Sequence, residues 1–195
     1  MEFSFFTGYL KQVSCRMDQV TKYVTLAIPN LEVEYIYRNT ITSWFRDVVK
    51  TRDLTVMYQA VQTGNVEVFQ KELSKLLQLS ISYLDTQEAF YHGFLMGILG
   101  NMKDYLAKSN RESGNGRSDI VVRSLDVSCP PMVMELKVSH TYKGLEAACD
   151  KVLDQIHHME YDSWLPEEGY TEVWNYGISF YRKQCKIKAE HRDFR

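Results

Sequence analysis

The spacing of apolar positions changes along the chain and predicts a different kind of structure in each part. Phe3 to Val13 and Lys22 to Ile28 contain short aromatic and β-branched runs, which predict two strands in a hairpin. Leu31 to Thr51 then places apolar residues at helical spacing. A break at Gly64-Asn65 separates two further helices. We therefore expect residues 1–79 to form an N-terminal hairpin and a helical extension packed on a core.

From Asp85 onward, helical patterns alternate with strand patterns. The predicted elements are a helix from Thr86 to Met102, strands at Tyr105–Ser109, Asp119–Leu125 and Met132–Ser139, a helix over 145–159, and strands at Thr171–Phe180 and Gln184–Ala189. This order predicts an α/β fold in which helices flank a central mixed sheet. Residues 80–195 are expected to form that core.

Composition places the chain among ordinary globular proteins. Of its 195 residues, 45% are hydrophobic and 25% are charged, and the formal net charge of -2 argues against a protein that coats nucleic acid or membranes electrostatically. Its four cysteines form no CxxC pair, which favours free intracellular thiols. No run approaches the ~18 apolar residues that a membrane span needs. These features predict a cytoplasmic protein without a membrane segment.

One predicted strand carries charged residues between apolar ones. Glu135 and Lys137 are two apart, so a strand places them on one face, with Leu136 on the other. Asp119 starts the preceding strand and meets Glu135 if the two strands pair as a hairpin. Two convergent carboxylates suit Mg²⁺, or Mn²⁺ in its place. Taken alone, the triplet is better explained by a Glu-Lys ion pair on an edge strand.

The surrounding sequence resembles a known family. Tyr91-His92-Gly93-Phe94-Leu95, the stretch from Ser109 to Asp119, and Glu135-Leu136-Lys137 resemble the PD-(D/E)XK nuclease superfamily. The resemblance runs from about Ser80 to Lys188 and is greatest to the nuclease domain at the C-terminus of bacterial AAA-ATPase-like proteins. It implies a restriction-endonuclease-like core and an AAA-ATPase-like partner or fused domain.

The same resemblance implies roles for individual residues. Asp119, Glu135 and Lys137 correspond to the signature catalytic set, with a metal ion held by the two carboxylates. Ser118 stands where the motif's name has Pro, at a position that supplies no chemistry. RecB-like members carry Gln followed four residues later by Tyr, whereas here Gln155 is followed by Met159. Only the Gln is carried over, either to bind substrate or a metal water or to lie on a solvated helix face.

Three further residues are candidates for the site, each beside a plainer alternative. Glu88 and His92 lie four apart and share a helix face, so either can supply another metal ligand. Glu88 is equally well explained by a capping box that begins at Asp85, and His92 by a buried histidine among aromatic side chains. Arg117 can contact phosphate next to Asp119, or be an ordinary surface charge.

The leading hypothesis is a Mg²⁺- or Mn²⁺-dependent nuclease, a phosphodiester hydrolase. DNA is expected rather than RNA, because DNA is the commoner substrate in the superfamily. The alternative is a non-catalytic module that keeps the nuclease fold and binds nucleic acid or an ATPase. An enzyme driven by nucleotide hydrolysis on its own is disfavoured, since the chain contains no GxxxxGK[ST] phosphate loop.

Overall fold

The computed structural model divides the chain into two compact units, residues 1–52 and 53–195. It describes residues 11–18, 21–33, 52–80, 88–113 and 116–194, with the backbone alone described at 18, 80, 110–113 and 116–117. None of the helices in this part of the chain is both long and apolar enough to cross a membrane.

The first unit contains an antiparallel hairpin. Strands β1 (Lys11–Asp18) and β2 (Thr21–Ala27) pair in a register that places Cys15 opposite Val24. A helical turn begins at Leu31, where the Asn30 side chain accepts a hydrogen bond of 3.0 Å from the Val33 N–H. The predicted hairpin is therefore confirmed. The first predicted strand falls partly, and the helix to Thr51 mostly, outside the described residues.

The second unit is built on a mixed five-stranded sheet in the order β3-β4-β5-β6-β7. Its strands are β3 (Tyr105–Ser113), β4 (Gly116–Ser124), β5 (Met132–Val138), β6 (Glu172–Tyr181) and β7 (Gln184–Asp193). Its helices are α1 (Thr55–Gln62), α2 (Val66–Ser80), α3 (Glu88–Leu99) and α4 (Leu145–Met159). The predicted α/β architecture is confirmed.

The central strand β5 positions the rest of the sheet. It pairs antiparallel with β4 and parallel with β6, and α4 provides the crossover that a parallel pair requires. Residues 132–136 are all buried, as expected of a strand covered on both faces.

Helix α4 packs closely on the face of the sheet that contains Gly177 and Ser179. We call this face the α4 face. Gly177 of β6 makes this approach possible, because a Cβ there would lie 2.7 Å from the Cys149 carbonyl and 2.8 Å from Leu153 Cγ. The Ser179 hydroxyl, on the same face, donates a hydrogen bond of 2.6 Å to the carbonyl of Leu145. The start of α4 is thereby tied to β6.

Helices α1 and α2 cover the opposite face. The Tyr176 ring packs edge-on against Phe69 with centroids 5.8 Å apart, and its hydroxyl donates to the Val61 carbonyl at 2.5 Å. Gly64, with φ of 70°, ends α1 directly against Trp174, where a Cβ would lie 2.2 Å from the indole. Helix α3 reaches this face too, since Tyr91 stacks on Phe180 with centroids 4.4 Å apart.

Some elements extend or group differently from the sequence predictions for a physical reason. The compact units divide after residue 52, so α1 and α2 lie within the second unit, where their apolar stripes pack on the sheet. Strands β3 and β7 each extend four residues beyond the prediction. These extensions are polar, and pairing with β4 and β6 maintains them where their own composition does not predict a strand.

Candidate active site

Asp119 and Glu135 lie side by side on adjacent strands. Ile120 is opposite Met134 in the antiparallel β4–β5 ladder. Asp119 directly precedes Ile120 and Glu135 directly follows Met134, so the two acidic residues occupy adjacent positions on the two strands. The Asp119 N–H donates to Glu135 Oε2 at 3.2 Å, and the Leu136 N–H donates to Asp119 Oδ2 at 2.9 Å. Each carboxylate is therefore held by a backbone donor of the neighbouring strand.

The surroundings of both carboxyl groups disfavour the charged form. Glu135 is only 6% exposed, and burial, followed by the charge of Asp119, raises its pKa to about 8. Burial also raises the pKa of Asp119 above its usual value, against the lowering effect of the Leu136 hydrogen bond. Among the described residues, no ion pair includes either side chain. The two groups thus form an acidic pair, with Glu135 buried and Asp119 half-buried, that makes no ion pair with a described basic side chain.

Lys137 follows Glu135 on β5 and reaches solvent. Its side chain is 56% exposed, while Leu136 between them is buried on the opposite face. Its Nζ lies 3.6 Å from Glu88 Oε2, at the first residue of α3. The charged triplet therefore differs from an isolated edge-strand ion pair, since β5 is central and Lys137 pairs with a residue from another element.

His92, one turn further along α3, contacts the backbone of Asp119. Its Nε2 donates to the Asp119 carbonyl at 3.0 Å and lies 3.0 Å from Ser109 Oγ. This contact joins α3 to the strand that carries Asp119. His92 is thus next to the acidic pair, with Nε2 engaged by protein groups.

Gln155 of α4 contacts the acidic pair from the α4 face. Its Nε2 donates to Glu135 Oε1 at 2.5 Å and to the Tyr161 hydroxyl oxygen at 3.2 Å. The resemblance alone did not assign Tyr161, because it lies six residues after Gln155. Helix α4 ends at Met159, and Glu160 has φ of 53°, a left-handed conformation that reverses the chain and brings the buried Tyr161 back to Gln155.

The donor set suits a hard divalent cation. Mg²⁺ is held in many enzymes by one or two carboxylates, with waters and substrate phosphate completing the shell. Asp119 and Glu135 supply two such carboxylates side by side, and a cation there would offset their mutual repulsion. Among the described side chains, no group of three or more His, Cys, Asp or Glu residues is arranged to hold a metal. Glu88 and His92 stay predicted ligands that lie next to the pair, Glu88 on Lys137 and His92 on the Asp119 carbonyl.

Two residues bearing on the sequence hypotheses fall outside the described side chains. Arg117 is opposite Glu112 in the β3–β4 ladder, and only its backbone is described. Asp85, the proposed cap of α3, precedes the described part of that helix. Glu88 is the first helical residue described, and its one described ionic partner is Lys137.

Comparison with known proteins agrees with this arrangement. A family model described as the PD-(D/E)XK nuclease superfamily matches residues 86–190. The match covers more than half of the chain and includes Asp119, Glu135, Lys137 and Gln155. No curated protein matches the chain. A mixed five-stranded sheet flanked by helices is the restriction-endonuclease-like architecture that the resemblance implied. The chain belongs to the PD-(D/E)XK nuclease superfamily.

Proposed function

We propose that this protein is a Mg²⁺- or Mn²⁺-dependent nuclease that hydrolyses phosphodiester bonds in DNA. The observation that carries the proposal is the Asp119–Glu135 pair, hydrogen bonded across β4 and β5 and followed by the exposed Lys137. Membership of the superfamily supports nuclease chemistry. DNA is preferred over RNA because it is the commoner substrate in that superfamily.

Asp119 and Glu135 would hold the metal ion. When bound, such an ion lowers the pKa of water and neutralises charge that develops on the phosphoryl oxygens. Both carboxylates have fixed orientations, Asp119 through the Leu136 N–H and Glu135 through Asp119 and Gln155. Little reorganisation would then be needed when the cation and substrate arrive.

Lys137 would act on the reacting phosphate group. Its ammonium projects into solvent beside the acidic pair, so it can donate hydrogen bonds to a phosphate oxygen or to the attacking water. The 3.6 Å contact with Glu88 holds the ammonium near the pair before substrate binds. Glu88 is therefore assigned a positioning role toward Lys137, and His92 a positioning role toward the Asp119 backbone.

The wider context belongs to the same proposal. The four described cysteines are free thiols, which suits the reducing cytoplasm. An AAA-ATPase-like partner or fused domain follows from the resemblance of the sequence. Arg117 is proposed as a phosphate contact next to Asp119.

Cleavage assays on separate substrates test the proposal. Supercoiled DNA, linear duplex DNA, single-stranded DNA and RNA are incubated with the wild-type protein in Mg²⁺, in Mn²⁺ and in EDTA. We expect metal-dependent cleavage of DNA, reduced by at least about 100-fold in Asp119→Ala and in Lys137→Ala. The matched control is Lys103→Ala, which removes an exposed lysine from the loop before β3, at the opposite end of the sheet.

Two results would overturn the assignment. One is cleavage by folded Asp119→Ala or Lys137→Ala at the wild-type rate. The other is binding of nucleic acid without cleavage in either metal, which would favour the non-catalytic module. Circular dichroism verifies that each variant is folded.

A further inference from the structure

A cavity of about 450 Å³ opens beside β7, at the edge of the sheet. Its volume is in the range of pockets that bind small ligands. We call it the β7 cavity; its lining includes Gln70 of α2, Tyr142 and Lys143 of the turn before α4, Glu146 of α4, and Gln184 and Lys186 of β7.

The β7 cavity lies in line with the active site. Lys137 is opposite Ser179 on β6, and Ser179 is opposite Lys186 on β7. Adjacent strands are ~4.8 Å apart, so the backbone of Lys186 is about 10 Å from that of Lys137 along one row of the sheet. A chain of phosphates at the active site therefore needs to extend only a short way to reach the cavity.

Tyr142 stands exposed on the turn before α4. Its side chain is 63% exposed, which is unusual for a large aromatic residue beside a cavity. The turn is held by a hydrogen bond of 3.1 Å from the Gly144 N–H to Thr141 Oγ1 and one of 2.7 Å from Ser139 Oγ to the Thr141 carbonyl. The ring is thus presented to solvent by backbone that hydrogen bonds already restrain.

The charge at the cavity is positive. Lys143 and Lys186 form no ion pair with any residue that the structure describes. The acidic lining residue, Glu146, shares Lys188 with Asp150, and the two lysines of the lining outnumber it. The amide of Gln184 adds hydrogen-bonding capacity without charge.

We propose that the β7 cavity binds a single-stranded segment of the nucleic acid substrate, with one base stacked on Tyr142 and its phosphates held by Lys143 and Lys186. An exposed aromatic ring beside lysines is the combination that binds unpaired strands, since every base has a face that can stack. Paired bases in a duplex are already stacked on each other and offer no face to the ring. The inference rests on the proposed nuclease function and specifies the form of the substrate near the site.

Fluorescence anisotropy tests the inference without requiring cleavage. The wild-type protein and its variants are titrated in EDTA against a labelled single strand of about 15 nucleotides and against the corresponding duplex. Tyr142→Ala should weaken binding of the single strand about tenfold and leave duplex binding unchanged. Tyr142→Phe, which keeps the ring, should bind both as the wild type does.

The lysines are tested through salt dependence. The double variant Lys143→Ala and Lys186→Ala should reduce the slope of log affinity against log salt by about 1.4 for the single strand, at ~0.7 for each lost phosphate contact. Lys103→Ala serves as the control and should leave the slope unchanged. All these side chains are exposed or half-buried on the surface, so the variants should fold normally.

The results separate this inference from the proposed function. Unchanged single-strand binding by Tyr142→Ala, or equal weakening for single strand and duplex, overturns the role of the β7 cavity. Cleavage assays in Mn²⁺ on the same samples report on the nuclease activity independently. Weakened single-strand binding supports the cavity's role even if no cleavage is seen.

Discussion

At the scale of single residues, the acidic pair Asp119–Glu135 governs the chemistry of the proposed site. Glu135 is stabilised by the Asp119 N–H and by Gln155, and destabilised in its charged form by burial and by the carboxylate beside it. In the metal-free protein, ionisation of Glu135 therefore costs free energy. A cation between the two groups would relieve that cost, so metal binding and protein stability should be linked.

Stability of the metal-free protein should fall at alkaline pH. The pKa of Glu135 is raised from 4.5 to about 8, so its protonated form favours the folded state. That contribution is complete below about pH 4.5 and is lost as the pH rises through 8. In EDTA at pH 9, Glu135→Gln should therefore be more stable than the wild type by about 1–3 kcal/mol.

Urea denaturation at several pH values measures this difference. At about pH 3, well below the ordinary pKa of 4.5, the two proteins should have similar stability, because Glu135 is then mostly neutral in both the folded and the unfolded wild type. Parallel pH profiles across the whole range would contradict the prediction. Adding Mn²⁺ at pH 8 should raise the melting temperature of the wild type more than that of Glu135→Gln.

Gln155 should act by orienting Glu135. Its Nε2 is shared between Glu135 Oε1 and the Tyr161 hydroxyl, so the amide is fixed on both sides. Gln155→Ala should lower kcat by about 10–100-fold with a smaller effect on KM. Tyr161→Phe keeps the buried ring and removes one hydrogen bond, so its loss should be milder. Steady-state cleavage assays measure kcat and KM of both variants. A kcat of Gln155→Ala equal to that of the wild type would contradict the proposal that Gln155 orients Glu135.

At the scale of elements, the fit of α4 on the sheet decides whether Gln155 reaches β5. Gly177 permits that fit, because the Cys149 carbonyl and Leu153 occupy the space of a Cβ. Residues of α4 that are buried on this face, Val152 and Ile156, belong to the same packed layer. A side chain at position 177 would move the helix and its glutamine together.

Gly177→Ala should therefore destabilise the protein by about 1–3 kcal/mol, as overpacking does in a close-packed core. Gly93→Ala in α3 is the matched control, since a Cβ there meets nothing within 4 Å. That change should be neutral or stabilise the helix by about 0.5–1 kcal/mol. Urea denaturation compares the two variants. Equal stability of Gly177→Ala and the wild type would show that α4 can shift freely.

At the scale of the whole molecule, the buried core lies in the second unit. Among the described residues, every buried hydrophobic side chain falls between Leu54 and Ile187. The hairpin of the first unit is largely exposed, and an isolated two-stranded hairpin is marginally stable in water. The second unit thus contains both the hydrophobic core and the proposed site.

A fragment of residues 53–195 should consequently fold without the first unit. We expect a single cooperative thermal transition in circular dichroism and metal-dependent cleavage where the full chain shows it. A fragment 53–195 that fails to melt cooperatively would show that the first unit contributes to the core.

Several elements were predictable because their patterns are local. The alternation around Glu135-Leu136-Lys137 predicts which side chains share a face, and the run of apolar residues from Met132 predicts a central strand. The division after residue 52 was not predictable in this way. An amphipathic helix shows that it has an apolar stripe, but not which surface will cover it.

The sequence by itself determined the order of elements and, through the resemblance, the superfamily and the signature residues. The tertiary structure decided how these residues meet. The β4–β5 register places Asp119 against Glu135, Gly177 lets α4 bring Gln155 to them, and the left-handed Glu160 returns Tyr161 to the helix it has just left. Strand register, helix approach and chain reversal depend on contacts between residues far apart in sequence, which local periodicity does not encode.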